Sequence, residues 1–442
     1  MHTLLCGELV DFLADPGDDE ASPAIRHQPQ GAIWIVDGII RASGPRRAVE
    51  AQLKKTLGAA AEYRMLDHGE QLIVPGFIDC HMHYAQIGVM ASWGRQLLDW
   101  LERYTFPAEA AFADPQLAAV SAEFVIDRLL AHGTTTASVF ATVHAHSVDA
   151  FMQIADRRSL RMVCGKVMMD RNCPEGLRDT VALAAREIPE LIARWHRRGR
   201  LRYSLTPRFA PTSTPAQLQL AGELYRSEPD LHLQSHLSEN LAEIAWVREL
   251  FPHHADYFDV YEQAGLAGER AIYGHCLHLA PREIDAMAAS RTAVAFCPTS
   301  NLFLGSGTLD VSQLLDAGIA VGLASDIGGG SSLSLLRTMA AAYQHAALRG
   351  ARLTPARAWY LATLGGARAL ALEKFIGNFL PGKEADCVVL DPVRIPELGW
   401  RVARAETLSE RLFALMMLGD ERCVVQTYVM GKAALPEFAD TL

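Results

Sequence analysis

The chain has 442 residues, of which 50% are hydrophobic and 21% charged, and its formal net charge is −10. This composition is typical of a globular enzyme with a sizeable core and unlike that of a disordered chain. The chain has no long run of lysine and arginine that would attract nucleic acid, and no uninterrupted apolar stretch reaches the ~18 residues that span a bilayer. These observations favour a small-molecule substrate and exclude nucleic acid and membrane as expected partners.

The N-terminus and the cysteines predict the compartment. Glu8 and Asp11 interrupt the start of the chain before the apolar core of a signal peptide could be completed. The 8 cysteines are scattered singly, without a Cys-x-x-Cys pair. In a chain of this length, such spacing is typical of reduced and mostly buried thiols. We therefore expect a cytoplasmic protein without a disulfide framework.

The first predicted elements are two short strands within residues 32–43, joined at Asp37-Gly38, which is a strong hairpin signal. Short strands are also predicted near the other end of the chain, at residues 387–390 and at residues 424–435, where Gly431 is a turn residue. Short antiparallel strands contributed by both termini would form a separate small β domain.

Between these flanks, eight apolar runs with strand character alternate with amphipathic helical stretches. The predicted strands are residues 77–83, 134–140, 161–169, 202–209, 231–237, 271–276, 293–297 and 320–325. Continuous hydrophobicity in a strand indicates burial on both faces, as in a parallel sheet covered by helices. Eight such strands predict a closed α/β barrel.

The first barrel strand ends in His81-Met82-His83. Side chains two residues apart point to the same face of a strand, so both imidazoles can converge on one metal ion. Imidazole nitrogen is a suitable ligand for zinc or iron. The pair alone is weak evidence, because His-x-His occurs by chance in many chains.

Other candidate ligands lie at the ends of later strands. His236 ends the fifth strand, His275 lies near the end of the sixth, and Asp326 follows the eighth. Glu239 follows His236 by three residues, in the loop after the strand. The active sites of (β/α)8 barrels lie at the carboxyl ends of the strands, so these residues predict one metal site there.

Each of these residues taken alone has a structural explanation, as a satisfied core histidine or as an aspartate that caps a helix. A shared site explains them better together, because independent residues would not all fall at matching strand ends. By contrast, His144 and His146 also form a His-x-His pair, but they lie where a helix is predicted to begin. We do not expect this second pair to bind metal.

The segments PGFIDCHMH, HLSEN, YGHC and ASDIGGG together resemble the metal-dependent amidohydrolase superfamily. The segments HYAQ, LLDWLERYTFPAE, TPRFAPT and FCPTSNLFLGSG are more specific and are similar to the guanine deaminase branch. The resemblance covers residues 30–432 and implies a distorted (β/α)8 barrel with a small β-sandwich formed by both termini. The corresponding division is 1–74 and 376–442 for the two parts of the sandwich and 75–375 for the barrel.

The resemblance also implies residue roles. Metal ligands are expected at His81, His83, His236, His275 and Asp326. Catalytic roles are expected for Glu239, Asp326 and His275. Substrate contacts are expected from His83, Gln86, Trp93, Arg208, Phe209, His236, Glu239 and Asp326.

Two-metal members of the superfamily carry a carboxylated lysine at the end of the fourth strand, whereas here that strand ends in Thr206-Pro207-Arg208. The only lysine in a predicted barrel strand is Lys166, in the third. The resemblance therefore implies one ion per chain, and imidazole and carboxylate ligands leave zinc and iron both open. It also implies a homodimer.

The implied activity is hydrolytic deamination of guanine to xanthine and ammonia in purine catabolism. A metal ion at such a site lowers the pKa of bound water from about 15.7 toward about 7. Asp326 could accept the water proton, and Glu239 could deliver protons to the ring nitrogen and to the departing amino group. Arg208 and Gln86 suit the amide-like edge of a purine, and Phe209 and Trp93 could pack on its ring.

Alternatives remain within the same fold, because a shared fold does not determine the substrate. Related aminohydrolases act on 8-oxoguanine, pterins, adenosine-type substrates or triazines, and they should differ at Gln86 and at Arg208-Phe209. A non-enzymatic scaffold relative is disfavoured, because such proteins usually lose metal ligands and all five are present here. The unrelated zinc deaminase fold is excluded, because it requires a Pro-Cys-x-x-Cys motif.

Overall fold

The computed structural model describes residues 1–58, 62–94 and 96–435. Within these ranges the chain forms two sheets, with helices packed around the larger one. None of the helices in the described ranges is long and apolar enough to cross a membrane. The cysteines are free thiols and all except Cys173 are buried, as the sequence predicted.

The strands of the described residues are β1 (His2–Phe12), β2 (Ile25–Val36), β3 (Ile39–Pro45), β4 (Arg64–Pro75), β5 (Phe77–His83), β6 (Thr134–Phe140), β7 (Arg161–Gly165), β8 (Val167–Met168), β9 (Arg202–Pro207), β10 (His232–Leu237), β11 (Ala271–His275), β12 (Ala293–Phe296), β13 (Val321–Leu323), β14 (Cys387–Leu390), β15 (Val424–Val429) and β16 (Lys432–Ala433).

The α-helices are α1 (Arg46–Leu57), α2 (Leu97–Trp100), α3 (Phe106–Ala110), α4 (Pro115–Ala131), α5 (Ala145–Arg157), α6 (Val181–Trp195), α7 (Pro215–Ser227), α8 (Leu241–Leu250), α9 (Tyr257–Gln263), α10 (Pro281–Ser290), α11 (Pro298–Phe303), α12 (Val311–Asp316), α13 (Leu335–Leu348), α14 (Pro355–Leu361), α15 (Leu364–Ala369), α16 (Pro396–Val402) and α17 (Leu408–Leu418). A π-helical turn, Leu101–Thr105, joins α2 to α3.

The smaller sheet collects strands from both ends of the chain, in the order β16-β15-β14-β4-β1-β2-β3. β2 and β3 form the predicted hairpin, and both of its turn residues, Asp37 and Gly38, have the positive φ that such a tight turn requires. The small β domain built by both termini is thus confirmed as one continuous hydrogen-bonded sheet, but the prediction of antiparallel strands alone is wrong, because β1 and β4 pair in parallel. The predicted C-terminal part of this domain is residues 376–442, of which residues 436–442 lie outside the described residues.

The larger sheet is the predicted parallel barrel. Its strand order is β5-β6-β7-β9-β10-β11-β12-β13, which follows the chain, with β8 paired to β9. β13 and β5 meet across the remaining gap, where the backbone N–H of Asp326 donates to the carbonyl of His81 at 2.9 Å. The barrel fold is confirmed, and its strands agree with the predicted ones to within a few residues at each end.

The third predicted strand is interrupted at Lys166. β7 ends at Gly165 and β8 begins at Val167, while the ammonium group of Lys166 forms a buried ion pair with Asp179. A buried lysine needs a counter-charge, and the side chain of Lys166 points toward Asp179, which supplies it. The uninterrupted strand predicted for residues 161–169 is therefore wrong at this position.

The carboxyl ends of the barrel strands open toward one end of the molecule, and the loops that follow them carry the polar residues singled out above. His81 and His83 lie in β5, His236 lies in β10 and His275 lies in β11. Asp326 follows β13. Apolar side chains between the strands and the surrounding helices form the largest core cluster. This core fixes the strands, and the strands bring the polar side chains to one place.

Candidate metal centre and adjoining cavity

Five side chains from four strand ends converge at the mouth of the barrel. The Nε2 atoms of His83 and His236 are 3.1 Å apart. An Asp326 carboxylate oxygen lies 3.3 Å from His81 Nε2 and 3.6 Å from His83 Nε2, and the other lies 3.8 Å from His275 Nε2. The structure thus brings together all five residues predicted as metal ligands.

Contacts on the far side of two rings orient them. His236 Nδ1 lies 2.6 Å from the carbonyl oxygen of Arg208, and His275 Nδ1 lies 2.8 Å from Asn301 Oδ1. Since a carbonyl oxygen can only accept a hydrogen bond, each Nδ1 carries a proton and each Nε2 faces the centre. Partners of this kind commonly orient metal-binding histidines.

The electrostatics also favour a cation. Burial lowers the pKa of His81, His83 and His236, which keeps their imidazoles neutral. Burial alone would raise the pKa of Asp326, but its contacts with His81 and His275 lower it overall. The buried Nε2 of His81 has no hydrogen-bond partner among the described residues. Neutral imidazoles, one carboxylate and an unpartnered nitrogen fit a zinc or iron ion.

Cys297 is a further potential ligand that the sequence analysis missed. Its thiol sulfur and the ligand atoms of His81, His275 and Asp326 all lie within 4.8 Å of one another. Burial raises the pKa of the Cys297 thiol well above its ordinary value, so the sulfur is held in its protonated form. A single cysteine after a strand has no sequence signal that distinguishes it from the other buried cysteines.

Glu239 lies beside the five converging side chains. Its Oε2 is 3.4 Å from His275 Nε2, and its Oε1 accepts a hydrogen bond of 3.0 Å from the hydroxyl of Ser306. The carboxyl group is buried, and burial raises the pKa of Glu239 to about 7. A group of this pKa can both hold and release a proton near neutral pH, which suits an acid or base in catalysis.

A cavity adjoins the converging side chains. The predicted site residues among its lining are His83, Gln86, Arg208, Phe209, His236, Glu239, His275 and Asp326. Its other walls include the apolar side chains of Leu97, Trp100, Leu101 and Leu304. Mostly apolar walls with a few convergent polar groups are typical of a small-molecule site.

Arg208 and Gln86 share a partner that the sequence analysis missed. The fully buried carboxylate of Glu109 accepts hydrogen bonds from Arg208 Nη1 and from Gln86 Nε2. Glu109 lies within the segment LLDWLERYTFPAE, where a glutamate that ends an amphipathic helix is normally solvated. The burial of Glu109 could therefore not be predicted from the sequence of this segment.

The structure does not bring Trp93 to the cavity. This side chain is 69% exposed and does not line the cavity wall, on which Trp100 and Leu101 lie instead. The packing of Trp93 on the substrate stays a prediction, which the position of this side chain does not support. The aromatic residue nearest in sequence that does line the cavity, Trp100, belongs to the following helix.

The second His-x-His pair lies away from this centre. His146, in α5, contacts the carbonyl oxygen of Phe112 at 2.7 Å, and its ring stacks on that of His144. Neither histidine lines the cavity or belongs to a potential metal-binding group of the described residues. That this second pair does not bind metal stays a prediction.

Comparison with protein families matches residues 72–434 to the amidohydrolase family. The chain is 44% identical over 434 residues to the guanine deaminase of Escherichia coli (strain K12), a match that covers 98% of each chain. The alignment therefore includes both the barrel and most of the terminal sheet.

Comparison with solved structures also finds guanine deaminases. The structure of E. coli guanine deaminase matches with a TM-score of 0.93 at 42% identity, covering 98% of this chain and 99% of that one. A guanine deaminase from C. acetobutylicum, solved with guanine bound in its active site, matches with a TM-score of 0.88 at 29% identity and covers 98% of this chain and 100% of that one.

Proposed function

Because the chain belongs to the amidohydrolase family, we propose that it catalyses the hydrolytic deamination of guanine to xanthine and ammonia. One observation carries the proposal beyond the family. Arg208, Gln86, Glu239 and three of the converging histidines, His83, His236 and His275, line the same cavity, which supports a purine as the substrate. Relatives named as guanine deaminases, one of them with guanine bound, support this choice of substrate.

We further propose that the five converging side chains hold one zinc or iron ion per chain. When bound, such an ion supplies water that ionises near neutral pH. Lys166 is paired with Asp179 away from these residues, which supports a single ion over a pair bridged by a modified lysine. Asp326 is placed to accept the proton that the attacking water gives up.

Glu239 is proposed to move protons on the substrate. Attack by water on C2 of guanine requires a proton at a ring nitrogen, and departure of ammonia requires one at the exocyclic amino group. Glu239 faces the cavity, and its raised pKa lets it carry a proton at neutral pH. The hydroxyl of Ser306 donates to one oxygen of this carboxyl group, while the other oxygen lies 3.4 Å from His275 Nε2, beside the proposed metal centre.

Arg208 and Gln86 are proposed to select guanine. The guanidinium can donate to the ring carbonyl, and the Gln86 amide can both donate to and accept from the amide-like ring edge. Adenine has an amino group in place of that carbonyl and would leave the donors of Arg208 that do not bind Glu109 without an acceptor, a mismatch that can cost ~10⁴-fold or more in kcat/KM. Phe209 lines the cavity and is proposed to pack on the ring.

The test is an ultraviolet assay of the purified protein with guanine, 8-oxoguanine, isoxanthopterin, cytosine and adenine. We expect guanine to have the highest kcat/KM and adenine to show essentially no turnover. Arg208→Ala should raise KM and lower kcat for guanine, since the same hydrogen bond holds the ring in register. A better substrate among the others, or Arg208→Ala kinetics within about twofold of the parent, would overturn the proposal.

Two proposals remain. The family resemblance supports a homodimer that acts in purine catabolism, and the free and mostly buried cysteines support a cytoplasmic location. Light scattering on the purified protein tests the first, and a mass of one chain would contradict it. Localisation of a tagged chain tests the second.

A further inference from the structure

Glu109 is part of neither the proposed metal centre nor the proposed proton path, yet it is one of the most enclosed charges in the site. It lies in α3 and its side chain is 0% exposed. Its two carboxylate oxygens lie 2.7 and 2.6 Å from Arg208 Nη1, and one of them accepts from Gln86 Nε2 at 2.8 Å. Both residues proposed to read the purine edge are therefore bound to the same carboxylate.

These contacts determine which polar atoms remain for a ligand. Gln86 donates to Glu109 through Nε2 and accepts from the backbone N–H of Gly328 through Oε1, at 3.2 Å, so its amide has one orientation. Among the hydrogen bonds of the described residues, the Arg208 side chain uses only Nη1. The Nε and Nη2 groups of Arg208 are left as donors.

Glu109 also sets the charge of this side of the cavity. Arg208 is the only lysine or arginine among the described residues that line it. A buried guanidinium that lacked a counter-charge would favour an anionic ligand, whereas a paired one can donate hydrogen bonds to a neutral ligand. Because Glu109 supplies the counter-charge from within the fold, the ligand does not have to.

We propose that Glu109 is a specificity-determining residue that makes the purine-binding side electrically neutral, so that neutral guanine is bound and anionic xanthine is released. This inference rests on the proposed function. Xanthine carries a second ring carbonyl, which makes its ring N–H groups more acidic than those of guanine, and it loses a proton near neutral pH. Glu109 would then favour binding of the neutral substrate and release of the anionic product, without contacting either molecule.

Other titratable groups face the same cavity. They are the carboxyl groups of Glu239, Glu243 and Asp326 and the imidazoles of His83, His236 and His275. The carboxylates add to the repulsion of an anion as pH rises. They are the same in every Glu109 variant, so a comparison between variants isolates the charge at position 109.

The experiment measures xanthine binding by isothermal titration calorimetry to the metal-loaded protein, at one pH below and one above the pKa of xanthine. For the parent we expect affinity to stay level or to weaken at the higher pH. Glu109→Gln keeps an acceptor and the side-chain shape but removes the charge, so affinity should rise about tenfold or more relative to the parent at the higher pH only. Glu109→Asp keeps the charge and should restore the parental pH dependence.

Glu102→Gln is the matched control, because it makes the same charge change on the exposed surface of the adjoining π-helical turn. The proposal is overturned if Glu109→Gln follows the parental pH dependence, if Glu102→Gln tightens binding equally, or if neither parent nor Glu109→Gln binds xanthine. If the parent binds xanthine more tightly above the pKa of xanthine than below it, the proposal is also overturned. This outcome does not depend on whether Glu109→Gln folds. A parent that binds xanthine but does not deaminate guanine would contradict the proposed function alone.

Discussion

Arg208, at the mouth of the barrel, contributes both to the proposed metal centre and to the adjoining cavity. The backbone carbonyl of Arg208 lies 2.6 Å from Nδ1 of His236, while its guanidinium lines the adjoining cavity. The chain between β9 and α7 therefore couples the orientation of a proposed metal ligand to that of a proposed substrate contact. Asn301, in α11, orients His275 through its side-chain amide oxygen.

We expect Glu239→Gln to retain the metal content of the parent and to lower kcat by about 10² to 10⁴, the usual range for a positioned acid or base. Glutamine preserves the shape of the side chain and can still accept from Ser306, but it cannot exchange a proton. Elemental analysis and steady-state kinetics measure the two effects. Near-normal turnover would remove Glu239 from the mechanism, and loss of metal would make it a ligand.

Metal removal gives a second prediction at this scale. Dialysis against a chelator should abolish activity, and about one equivalent of zinc or iron per chain should restore it. Asp326→Asn should weaken metal retention, because it removes the only negatively charged member of the proposed ligand set. Two metal ions per chain, or an active preparation without metal, would contradict the single-ion site.

At the scale of elements, the start of α8 positions Glu239. The buried Glu243 accepts from the backbone N–H groups of Glu239 and Asn240, at 2.9 and 3.1 Å, and from the hydroxyl of Tyr257 at 2.8 Å. Asn240 in turn caps the helix through Ala242, which completes a capping box. The helix start thus holds the loop that follows β10.

Glu243→Ala should lower both stability and kcat, because it leaves buried donors unpaired at a cost of about 1 to 3 kcal/mol each. Glu243→Gln retains one oxygen acceptor, so its effect should be intermediate. Chemical denaturation and guanine kinetics provide the two measurements, with Glu249→Ala on the exposed face of α8 as the control. If Glu243→Ala behaved like the control, the capping box would have no role in positioning Glu239.

At the scale of the whole molecule, a buried ion cluster joins the terminal sheet to the barrel. Arg161 in β7 and Arg200 before β9 both bind Glu384, which precedes β14, and Arg200 also binds Asp386. Burial alone would raise the pKa of Glu384, but the two guanidinium groups lower it overall. The cluster lies at the end of the barrel opposite the candidate site, where strands such as β7 and β9 begin.

Glu384→Gln should destabilise the protein by about 3 to 5 kcal/mol near neutral pH, because it leaves buried guanidinium charge uncompensated. The folded-state pKa of Glu384 lies below its unfolded value, so the stabilisation is present above the unfolded pKa, about 4.3, and is lost as pH falls through the folded value. The difference in unfolding midpoint between variant and parent should therefore shrink in acid.

The control for this variant is Glu269→Gln, since Glu269 and Arg291 form a largely exposed pair that should contribute about 1 kcal/mol or less. Thermal or urea melts of the three proteins at several pH values make the comparison. Equal effects of the two substitutions, or a difference that does not depend on pH, would contradict a stabilising role for the Glu384 cluster.

The barrel and the five proposed ligands could be predicted from the sequence because both depend on local pattern. A strand buried on both faces needs an unbroken apolar run, and four of the eight runs here contain or are directly followed by a proposed ligand at the carboxyl end of the strand. The Asp37-Gly38 hairpin is local for the same reason. β1 was not predicted, because its acidic residues Glu8 and Asp11 are buried by ion pairs with Arg411 and Arg26.

The tertiary structure alone decided the partners of buried charges and the direction of side chains in irregular segments. Glu109 and Arg208 are 99 residues apart, and nothing in either local segment distinguishes a glutamate that will be enclosed from one that stays in solvent. Trp93 lies in a loop, where no strand or helix period predicts which way a side chain points, and it is exposed. Periodicity specifies which face of an element is buried, but a long-range ion pair depends on which elements the fold brings together.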